Sequence, residues 1–280
     1  MKITAHCLVR NEFRFIWYSL MSIIDWVDKV LLWDTGSTDG TIDIIKEIIK
    51  LKPDKVNFRE VGLVDIYGYE RMRQELLDKT TTDWFIVVDG DEIWWEDSIK
   101  KVTEVVQDRG REIESIVVPT INLIGDVYHY QEEAAGQYRL AGRKGHLSLR
   151  LVNRHVSGLH TKRPHGMSGL FDSEEKLIQD RDPRKILFVD CPYFHATFLH
   201  RSIQGTKDAD VPKRKQKLKY ELGIPFPKDF YYPEVFFRPR PPIVPSPWQK
   251  RSFGYMARAA IETPFKKLKR RLFKSKKVGY

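Results

Sequence analysis

The residues best suited to chemistry lie where an apolar run ends in a cluster of acids. Residues 84–88 read Trp-Phe-Ile-Val-Val, and Asp89, Asp91 and Glu92 follow within four positions. Carboxylates this close together repel one another, so either a positive partner lies among them or water reaches them freely. Two oxygen ligands at the end of a rigid strand suit Mg²⁺ or Mn²⁺. Asp89 and Asp91 are therefore candidate metal ligands, and the alternative is an acidic first turn for a helix at 96–108.

The Asp-x-Asp spacing is by itself a weak signal, because it occurs at two other places. Asp180 and Asp182 form one pair, and Asp208 and Asp210 form the other. Neither pair follows an apolar run, so we expect both pairs to be solvated in loops. Only the pair at 89–91 is predicted to be fixed on a strand.

The elements that must position these acids alternate between strand and helix over the first hundred residues. Apolar, strand-like segments occur at 2–9, 29–33, 57–61 and 84–88, and helical periodicity occurs at 12–27, around Ile42–Ile49 and at 69–79. Such alternation predicts an α/β fold, with an open, mostly parallel sheet covered by helices on both faces. A helix at 96–108 and strands at 115–124, 146–152 and 186–190 are predicted to follow.

Polar clusters follow three of the four predicted strands. They are Arg10-Asn11-Glu12, Asp34 with the turn Gly-Ser-Thr-Asp-Gly at 36–40, and the acids at 89–92. Ligands of parallel α/β sheets bind beyond the carboxyl ends of the strands, near the point where the strand order reverses. The three clusters are thus predicted to meet at one edge of the sheet, although Asp34 could instead simply cap its own turn.

Four segments carry a resemblance to a known family. HCLVRNE (6–12), LLWDTGSTDGT (31–41), ERMRQELL (70–77) and DWFIVVDGDE (83–92), in this order and at these intervals, resemble the family 2 glycosyltransferases with a GT-A fold. The DGDE form resembles the branch with lipopolysaccharide-core and related cell-envelope sugar transferases. The resemblance covers residues 1 to about 95 and implies use of a nucleotide sugar with Mn²⁺ or Mg²⁺.

The resemblance also implies roles for the residues on the nucleoside side. Val9, Arg10 and Asn11 would line the base and the ribose. Asp34 would accept a hydrogen bond from a uracil-type base.

On the diphosphate side, the resemblance implies that Asp89 and Gly90 contact the ribose or the metal and that Asp91 holds the metal bridging the diphosphate. Arg73 would face the diphosphate or the sugar, with Gln74 where the family usually has Asn. The alternative for Arg73 is a surface ion pair with Glu70 or Asp78.

The catalytic base is less well defined. Inverting transfer needs a carboxylate that takes the proton of the acceptor hydroxyl. Relatives often carry a His-Glu pair after an Arg-Leu-Phe-Arg-like strand, whereas this chain has Leu149–Arg154 and then His165-Gly166. Glu92, beside the metal motif, is our first candidate, and the remaining candidates are Glu132, Glu133 and Asp172.

Two further residue types near these motifs have both a functional and a structural interpretation. His195, in YFHATFLHRS, resembles the downstream His that can be a third metal ligand, although a lone His after a strand is often structural. Trp94 and Trp95 could form a platform for a sugar ring, or could simply pack in the core.

The bulk composition fits a globular body with a basic tail. The formal net charge is +10, and residues 263–280 hold eight Lys and Arg and no acid, so a diffuse nucleic-acid-binding surface is not expected. Cys7 and Cys191 form no disulfide framework. The sequence has no apolar run long enough for a membrane span and no leader-like start, which predicts a cytoplasmic protein, peripheral on the inner face of the membrane.

We expect three regions. Residues 1–220 form the GT-A domain, with a nucleotide-binding half at 1–95 and an acceptor half at 96–220. Residues 221–262 form a proline-rich wrapping segment and 263–280 a basic amphipathic tail. Thr263 and Pro264 are predicted to start the tail helix, which would bind anionic lipid; a solvated or RNA-binding tail is the alternative.

The sequence therefore predicts a metal-dependent, inverting glycosyltransferase. It would move a hexose from a UDP-linked donor to a glycan or lipid-linked acceptor. A sugar-nucleotide pyrophosphorylase is a rival, although residues 6–13 lack the glycine-rich loop expected of one. A catalytically inactive, membrane-docked binding module of the same fold is the second rival.

Overall fold

The structure is a computed structural model that describes residues 1–163, 169–202, 205–211 and 214–272. The predicted His165-Gly166 motif and the last eight residues of the tail lie outside the described residues. The strands are β1 (Ile3–Val9), β2 (Lys29–Asp34), β3 (Val56–Glu60), β4 (Trp84–Val87), β5 (Glu92–Trp94), β6 (Ser115–Ile124), β7 (Asp126–Tyr130), β8 (Tyr138–Leu140), β9 (Arg143–Gly145), β10 (Leu147–Asn153), β11 (His160–Lys162), β12 (Gly169–Phe171), β13 (Ile186–Phe188), β14 (Tyr193–His195) and β15 (Ile224–Pro225). The helices are α1 (Ile16–Ile23), α2 (Thr41–Leu51), α3 (Ile66–Asp78), α4 (Glu96–Arg109), α5 (Gly205–Ala209), α6 (Arg214–Lys217) and α7 (Phe253–Leu272).

The amino-terminal half of the large sheet is parallel, in the order β3-β2-β1-β4. The chain moves outward from β1 to β2 and β3 and then returns to the other side of β1 for β4. The strand order therefore reverses between β1 and β4, which is where open α/β sheets form their ligand crevice.

Both faces of this sheet are covered because β1 alternates its side chains between two apolar layers. Ala5, Cys7 and Val9 belong to the core that includes α1 and α2, whereas Leu8 belongs to a cluster with Leu76 of α3. The predicted open, mostly parallel sheet with helices on both faces is confirmed.

The carboxyl-terminal half adds antiparallel strands that bring distant residues to the same edge. β10 lies antiparallel between β4 and β6. β14 runs parallel to β6 and antiparallel to β5, and this pairing sets His195 opposite Glu92.

The proline-rich stretch wraps the core without forming an α-helix in the part of the chain from 225 to 247. Its aromatic side chains surround Phe194 of β14, with ring centroids 5.5 to 6.3 Å away for Phe226, Phe230, Tyr232 and Phe236. The extended conformation predicted from the prolines is thus observed.

The start of the tail helix is predicted wrongly. Helix α7 begins at Phe253, so Thr263 and Pro264 lie inside it rather than at its amino terminus. Thr263 is buried, donates its hydroxyl proton to the Ala259 carbonyl at 2.5 Å and accepts a hydrogen bond from the Leu222 amide at 2.9 Å. The helix therefore crosses the predicted boundary between residues 262 and 263, and the three-region division stays a prediction. Among the described helices, none is long and apolar enough to cross a membrane.

Candidate active site

The candidate site lies where the loops after β1 and β4 meet. Glu12 follows β1, and Asp89, Asp91 and Glu92 follow β4. Residues from α3, β10, β14 and the chain after 199 converge on the same place. The result is a cluster of four carboxyl groups and four guanidinium groups, the latter from Arg73, Arg150, Arg201 and Arg214.

Asp89 is the most accessible of the four acids. Its side chain is 30% exposed, and its carboxylate lies 3.5 Å from Arg73 Nη2 and 3.7 Å from Arg150 Nη2. Partial burial acts to raise the pKa of Asp89, but the guanidiniums of Arg150 and Arg73 hold it well below its usual range. Asp89 is therefore ionised, and Arg73 faces it rather than the surface acids Glu70 and Asp78.

Asp91 is fully buried, and neither of its carboxylate oxygens has a hydrogen-bond partner among the described residues. Arg201 Nη1 lies 2.7 Å from Oδ2, and His195 Nε2 lies 3.6 Å from the same oxygen. Burial acts to raise the pKa of Asp91, but Arg201 and His195 hold it below its usual range. The carboxylate is thus charged and still has unused acceptor positions.

Glu92 is fully buried. Its Oε1 accepts hydrogen bonds from Arg150 and, at 3.0 Å, from the Tyr193 hydroxyl, while Oε2 accepts one from the Asp89 amide at 3.2 Å. Burial raises the pKa of Glu92 well above its usual range, although Arg150 acts against this. Glu92 thereby positions both Arg150 and the Asp89 backbone.

Glu12 ties the loop after β1 to the chain beyond residue 199. Its Oε1 lies 3.0 Å from Arg201 Nη1 and 2.5 Å from Arg214 Nη2. Burial raises the pKa of Glu12 to about 8, against the effect of the two arginines. Arg214 also donates to the carbonyl oxygens of Arg10 and Asn11, so α6 is fixed to the end of β1.

The residues predicted to bind the nucleoside lie together at the ends of β1 and β2. Asn11 has a φ of 53°; its side-chain oxygen accepts a hydrogen bond from the Thr38 amide, and its own amide donates one to Ser37 Oγ. Val9 is buried, and the guanidinium Nε of Arg10 is a buried donor without a partner among the described residues. Asp34 Oδ1 accepts from the amides of Gly36 and Ser37, and Oδ2 from Ser37 Oγ. These are the bonds of the turn-capping alternative, and a contact between Asp34 and a base stays a prediction.

Gly90 is required by close approach rather than by its backbone angles. A Cβ at this position would lie 2.7 Å from Glu12 Cγ and 3.1 Å from Val9 Cγ1. The glycine therefore lets the loop after β4 pack directly against the loop after β1.

A divalent cation fits part of this residue set. Asp91 offers a buried Oδ1 without a hydrogen bond or ion pair among the described residues, and burial lowers the pKa of the neighbouring His195 to about 4, so that its ring is neutral at pH 7 and able to ligate. Within the described ranges, no three His, Cys, Asp or Glu side chains are grouped closely enough to hold a metal on their own. A metal would therefore need oxygens from a ligand, as Mg²⁺ and Mn²⁺ sites for phosphates commonly do.

The other sequence-predicted residues lie away from this cluster. Glu132 pairs with Arg270 of α7, Glu133 is exposed, and Asp172 is buried against Arg181. Trp94 stacks on Tyr193 and Trp95 packs on Phe194, as in the packing alternative.

The other two Asp-x-Asp pairs were predicted to be solvated. Asp180, from one pair, is exposed as predicted. Asp208, from the other pair, is buried, so that prediction is wrong. Asp208 is buried because the amides of Arg201 and Ser202, with His200, donate to its carboxylate.

Sequence reasoning did not identify Arg150, Arg201, Arg214 or Tyr193 as site residues. Arg150 was visible as a charged residue in the otherwise apolar run Leu147–Val152, which is a signal for a paired buried charge. The other three give no such local signal.

The cleft itself is narrow. It holds about 90 Å³ and is lined by residues including Val9, Arg10, Asp89, Arg201 and Arg214. Pockets for small ligands usually have about 300–1,000 Å³, so the cleft is smaller than is usual for a bound nucleotide.

Comparison with known proteins places this geometry in a family. The family model described as glycosyl transferase family 2 matches residues 8–167. The SPbeta prophage-derived glycosyltransferase SunS of Bacillus subtilis (strain 168) is 28% identical over 105 residues, which are 38% of this chain and 24% of that protein. The chain thus aligns with about a quarter of the length of the curated relatives that it matches.

Solved structures resemble the chain more distantly. TarS of S. aureus has a TM-score of 0.48 at 14% identity, over 78% of this chain and 43% of that chain. Glucosyl-3-phosphoglycerate synthase of Mycobacterium tuberculosis has a TM-score of 0.43 at 18% identity, over 70% of this chain and 72% of that chain. Because the family model spans more than half of the 280 residues, and the sheet has the strand-end acids that its motifs imply, the chain belongs to glycosyl transferase family 2.

Proposed function

We propose that this glycosyltransferase moves a hexose from a UDP-linked donor to a hydroxyl group of a glycan or lipid-linked acceptor, with inversion at the anomeric carbon. One observation carries the proposal. Asp91, a fully buried carboxylate whose Oδ1 has no hydrogen bond or ion pair among the described residues, lies against Arg201 and next to Asp89 at the reversal point of the sheet. Family membership favours this activity over a pyrophosphorylase.

The donor is proposed to lie across the ends of β1, β2 and β4. The uracil and ribose would contact Val9, Arg10, Asn11 and Asp34, and the diphosphate would reach Asp89, Gly90, Asp91 and Arg73. Arg73 supports this orientation, since its guanidinium already lies 3.5 Å from Asp89 Oδ1 at the edge of the cleft. Guanidiniums bind phosphate well because two N–H groups of the planar fork can donate parallel hydrogen bonds to two phosphate oxygens.

The proposed reaction is a single displacement. The acceptor oxygen forms a bond to the anomeric carbon, and the bond from that carbon to the diphosphate oxygen breaks, so that UDP leaves with the electron pair. The hydroxyl proton passes to a carboxylate, for which Glu92 is the proposed base, although its present bonds to Arg150 and Tyr193 would have to loosen.

The leaving diphosphate develops negative charge, which the site must offset. We propose that Asp91 and His195, with Asp89, hold a Mn²⁺ or Mg²⁺ ion, whose positive charge would offset the negative charge of the diphosphate. A second candidate is favoured by the position of Arg201, because a guanidinium 2.7 Å from Asp91 Oδ2 already takes the place of a cation. In that case Arg201 and Arg73 offset the diphosphate charge without a metal.

Calorimetric titration of UDP and GDP into the protein, with Mn²⁺ and then with EDTA, tests the proposal. We expect UDP to bind more tightly than GDP and EDTA to weaken binding at least about tenfold, since a metal held by Asp89, Asp91 and His195 would supply positive charge that attracts the diphosphate. Equal UDP affinity in Mn²⁺ and EDTA would instead support the arginine-only site. Failure of both nucleotides to bind would remove the proposed donor site.

We further propose that α7 lies on an anionic membrane surface, which would make the enzyme peripheral. Ile261, Phe265, Leu268 and Leu272 form one stripe on this helix, with exposures of 69%, 70%, 54% and 66%. The opposite side is docked to the body by Thr263 and by Arg270, which lies 2.6 Å from Glu221. Lys269 and Arg271 fall beside the stripe, as expected of an interfacial helix.

A further inference from the structure

A second cavity lies beside the donor cleft and has no part in the proposed donor contacts. It is bounded by the start of α1, the turn between β6 and β7, and the first turns of α7. Its volume is about 570 Å³, which falls within the range of about 300–1,000 Å³ typical of ligand pockets.

The lining of this cavity is strongly basic. Arg14, His200, Lys250, Arg251 and Arg258 line it, and Asp126 is the acid among the described lining residues. The Asp126 carboxylate is already used: it accepts from His129 Nδ1 at 2.6 Å and from the Arg251 amide at 3.3 Å.

Two of the cations lack a carboxylate partner within the described part of the chain. Arg14 donates instead to the Ser202 carbonyl at 3.0 Å and to the side-chain oxygen of Gln249, and Lys250 is exposed at the cavity. Arg258 is paired with Glu262 at 2.6 Å and Arg251 lies 4.0 Å from Asp126. Asp208, 2.9 Å from His200, also acts electrostatically on Arg14, so four fixed cations are set against three carboxylates, which leaves one positive charge.

The burial of Arg14 adds to this imbalance. Burial lowers the pKa of the Arg14 guanidinium, which shows that the charge is partly removed from water. An anion in the cavity would offset the free-energy cost of burying that charge.

The cavity and the donor cleft share one wall. The Arg14 amide donates to the Arg201 carbonyl at 2.8 Å, so the turn before α1 that carries Arg14 is bonded to the segment that carries Arg201. Leu199 and His200 line the cavity, whereas the next residue, Arg201, lines the donor cleft. A ligand in the cavity would therefore be held one segment away from the donor sugar.

From these observations we propose that the cavity binds a phosphate group of the acceptor. The proposal rests on the proposed transferase function and narrows its acceptor to a phosphorylated glycan or a phosphate-bearing lipid. The negative charge of a phosphate group would offset the excess positive charge, and two of its oxygens can accept hydrogen bonds from one guanidinium. A neutral sugar would not offset this charge.

Titration of sn-glycerol 3-phosphate into the full-length protein with UDP present in saturating amount tests the proposal. We expect binding to the wild type and about fivefold weaker binding to Lys250→Glu, since reversing a partly exposed charge changes such contacts by about 1 kcal/mol. Lys101→Glu, on α4 and outside the cavity, changes the net charge equally and should bind like the wild type. Arg14→Gln should weaken binding in the same direction.

Vesicle binding distinguishes the two sources of phosphate. Loss of binding to phosphatidylglycerol vesicles in Lys250→Glu, but not in Lys101→Glu, would support a lipid headgroup. If Lys250→Glu weakens the binding of sn-glycerol 3-phosphate but not the binding of vesicles, the result would support a soluble phosphorylated acceptor. If both variants behave alike towards both probes, the proposal is overturned. UDP affinity, measured on the same samples, reports separately on the donor site.

Discussion

At the scale of residues, the acids after β4 are stabilised chiefly by arginines of the protein itself. Glu92 binds Arg150, Asp91 lies against Arg201, and Asp89 lies between Arg73 and Arg150. Removing one member would leave its partner as an unpaired buried charge, which is a large penalty. The site is therefore one coupled unit rather than a set of independent contacts.

Glu92→Gln separates a catalytic from a positioning role for this residue. If Glu92 takes the proton, donor turnover should fall about 100-fold or more, while UDP affinity changes less than about threefold, because the amide keeps the size of the side chain. Steady-state hydrolysis of the donor and calorimetry of UDP give the two values. Parallel losses of affinity and turnover would argue for a positioning role. The exposed Glu133→Gln is the matched control.

The local part of the site could be predicted from the sequence, whereas its long-range part could not. Asp89 and Asp91 follow an apolar strand, and that pattern alone locates them at the sheet edge. Arg150 lies 58 residues along the chain from Glu92, and Arg201 lies farther still. They reach the acids only because β10 pairs with β4 and the chain after β14 passes the same edge of the sheet. The sequence therefore predicted that a positive partner lies among these acids, but it did not predict that arginines lie there.

At the scale of elements, β1 has a second polar feature besides its end. The His6 ring is buried, its Nε2 lies 2.5 Å from Thr80 Oγ1, and it stacks on Phe85 with a centroid distance of 4.4 Å. Burial, with a contribution from Arg73, lowers the pKa of His6 to about 3. The ring is neutral in the folded protein at any ordinary pH.

This shift predicts loss of stability in mild acid. Unfolded His binds a proton below about pH 6.5 and the folded His6 does not, so the free energy of unfolding decreases as the pH falls from 6.5 towards 3. The expected contribution of His6 is a loss of about 2 kcal/mol at pH 5. Urea unfolding at pH 7.5 and pH 5 measures it.

Between pH 7.5 and pH 5, the free energy of unfolding should decrease by about 2 kcal/mol less in His6→Gln than in the wild type. The exposed His155→Gln should leave the loss unchanged. An equal loss in His6→Gln and the wild type would contradict the assignment to His6. Burial lowers the pKa of His146 and His195 as well, so His6→Gln should still lose some stability between pH 7.5 and pH 5.

Strong local patterns account for which elements could be predicted. β1, β2 and β4 are mainly apolar, α4 has clear helical periodicity, and the bounds of all four differ little from expectation. Helix α1 is shorter than the predicted segment 12–27, because residues 12–15 form the turn that holds Glu12 in the site. Proline at 264 suggested a helix start, but packing of Ala259 and Thr263 against the body extends α7 through it.

At the scale of the whole molecule, the exposed apolar stripe of α7 is not explained by packing within the described part of the chain. We expect the double variant Ile261→Gln with Phe265→Gln to weaken sedimentation with anionic vesicles at least about tenfold, since each buried apolar side chain contributes about 1.5–3 kcal/mol. UDP affinity should not change, because the stripe lies opposite the docked face of the helix.

Leu51→Gln with Leu63→Gln is the control for this prediction, since both side chains are exposed apolar groups outside α7. Equal vesicle binding by the two double variants would refute the membrane role of α7. Substitution is preferable to truncation after residue 262, which would remove the Arg270 ion pairs with Glu132 and Glu221.

Turnover of nucleotide sugars by the wild type and by Asp91→Ala tests the central claim most directly. With a panel of UDP- and GDP-sugars and Mn²⁺, we expect the wild type to turn over a UDP-sugar and Asp91→Ala to lose about 100-fold or more in kcat, since the carboxylate proposed to hold the metal that offsets the charge of the leaving diphosphate is lost. Asp91→Asn, which keeps the side-chain volume, should show the same loss in a folded protein. Asp182→Ala, from the other Asp-x-Asp pair, should stay within about twofold of the wild type. No turnover of any donor by the wild type, or full turnover by both Asp91 variants, would contradict the account.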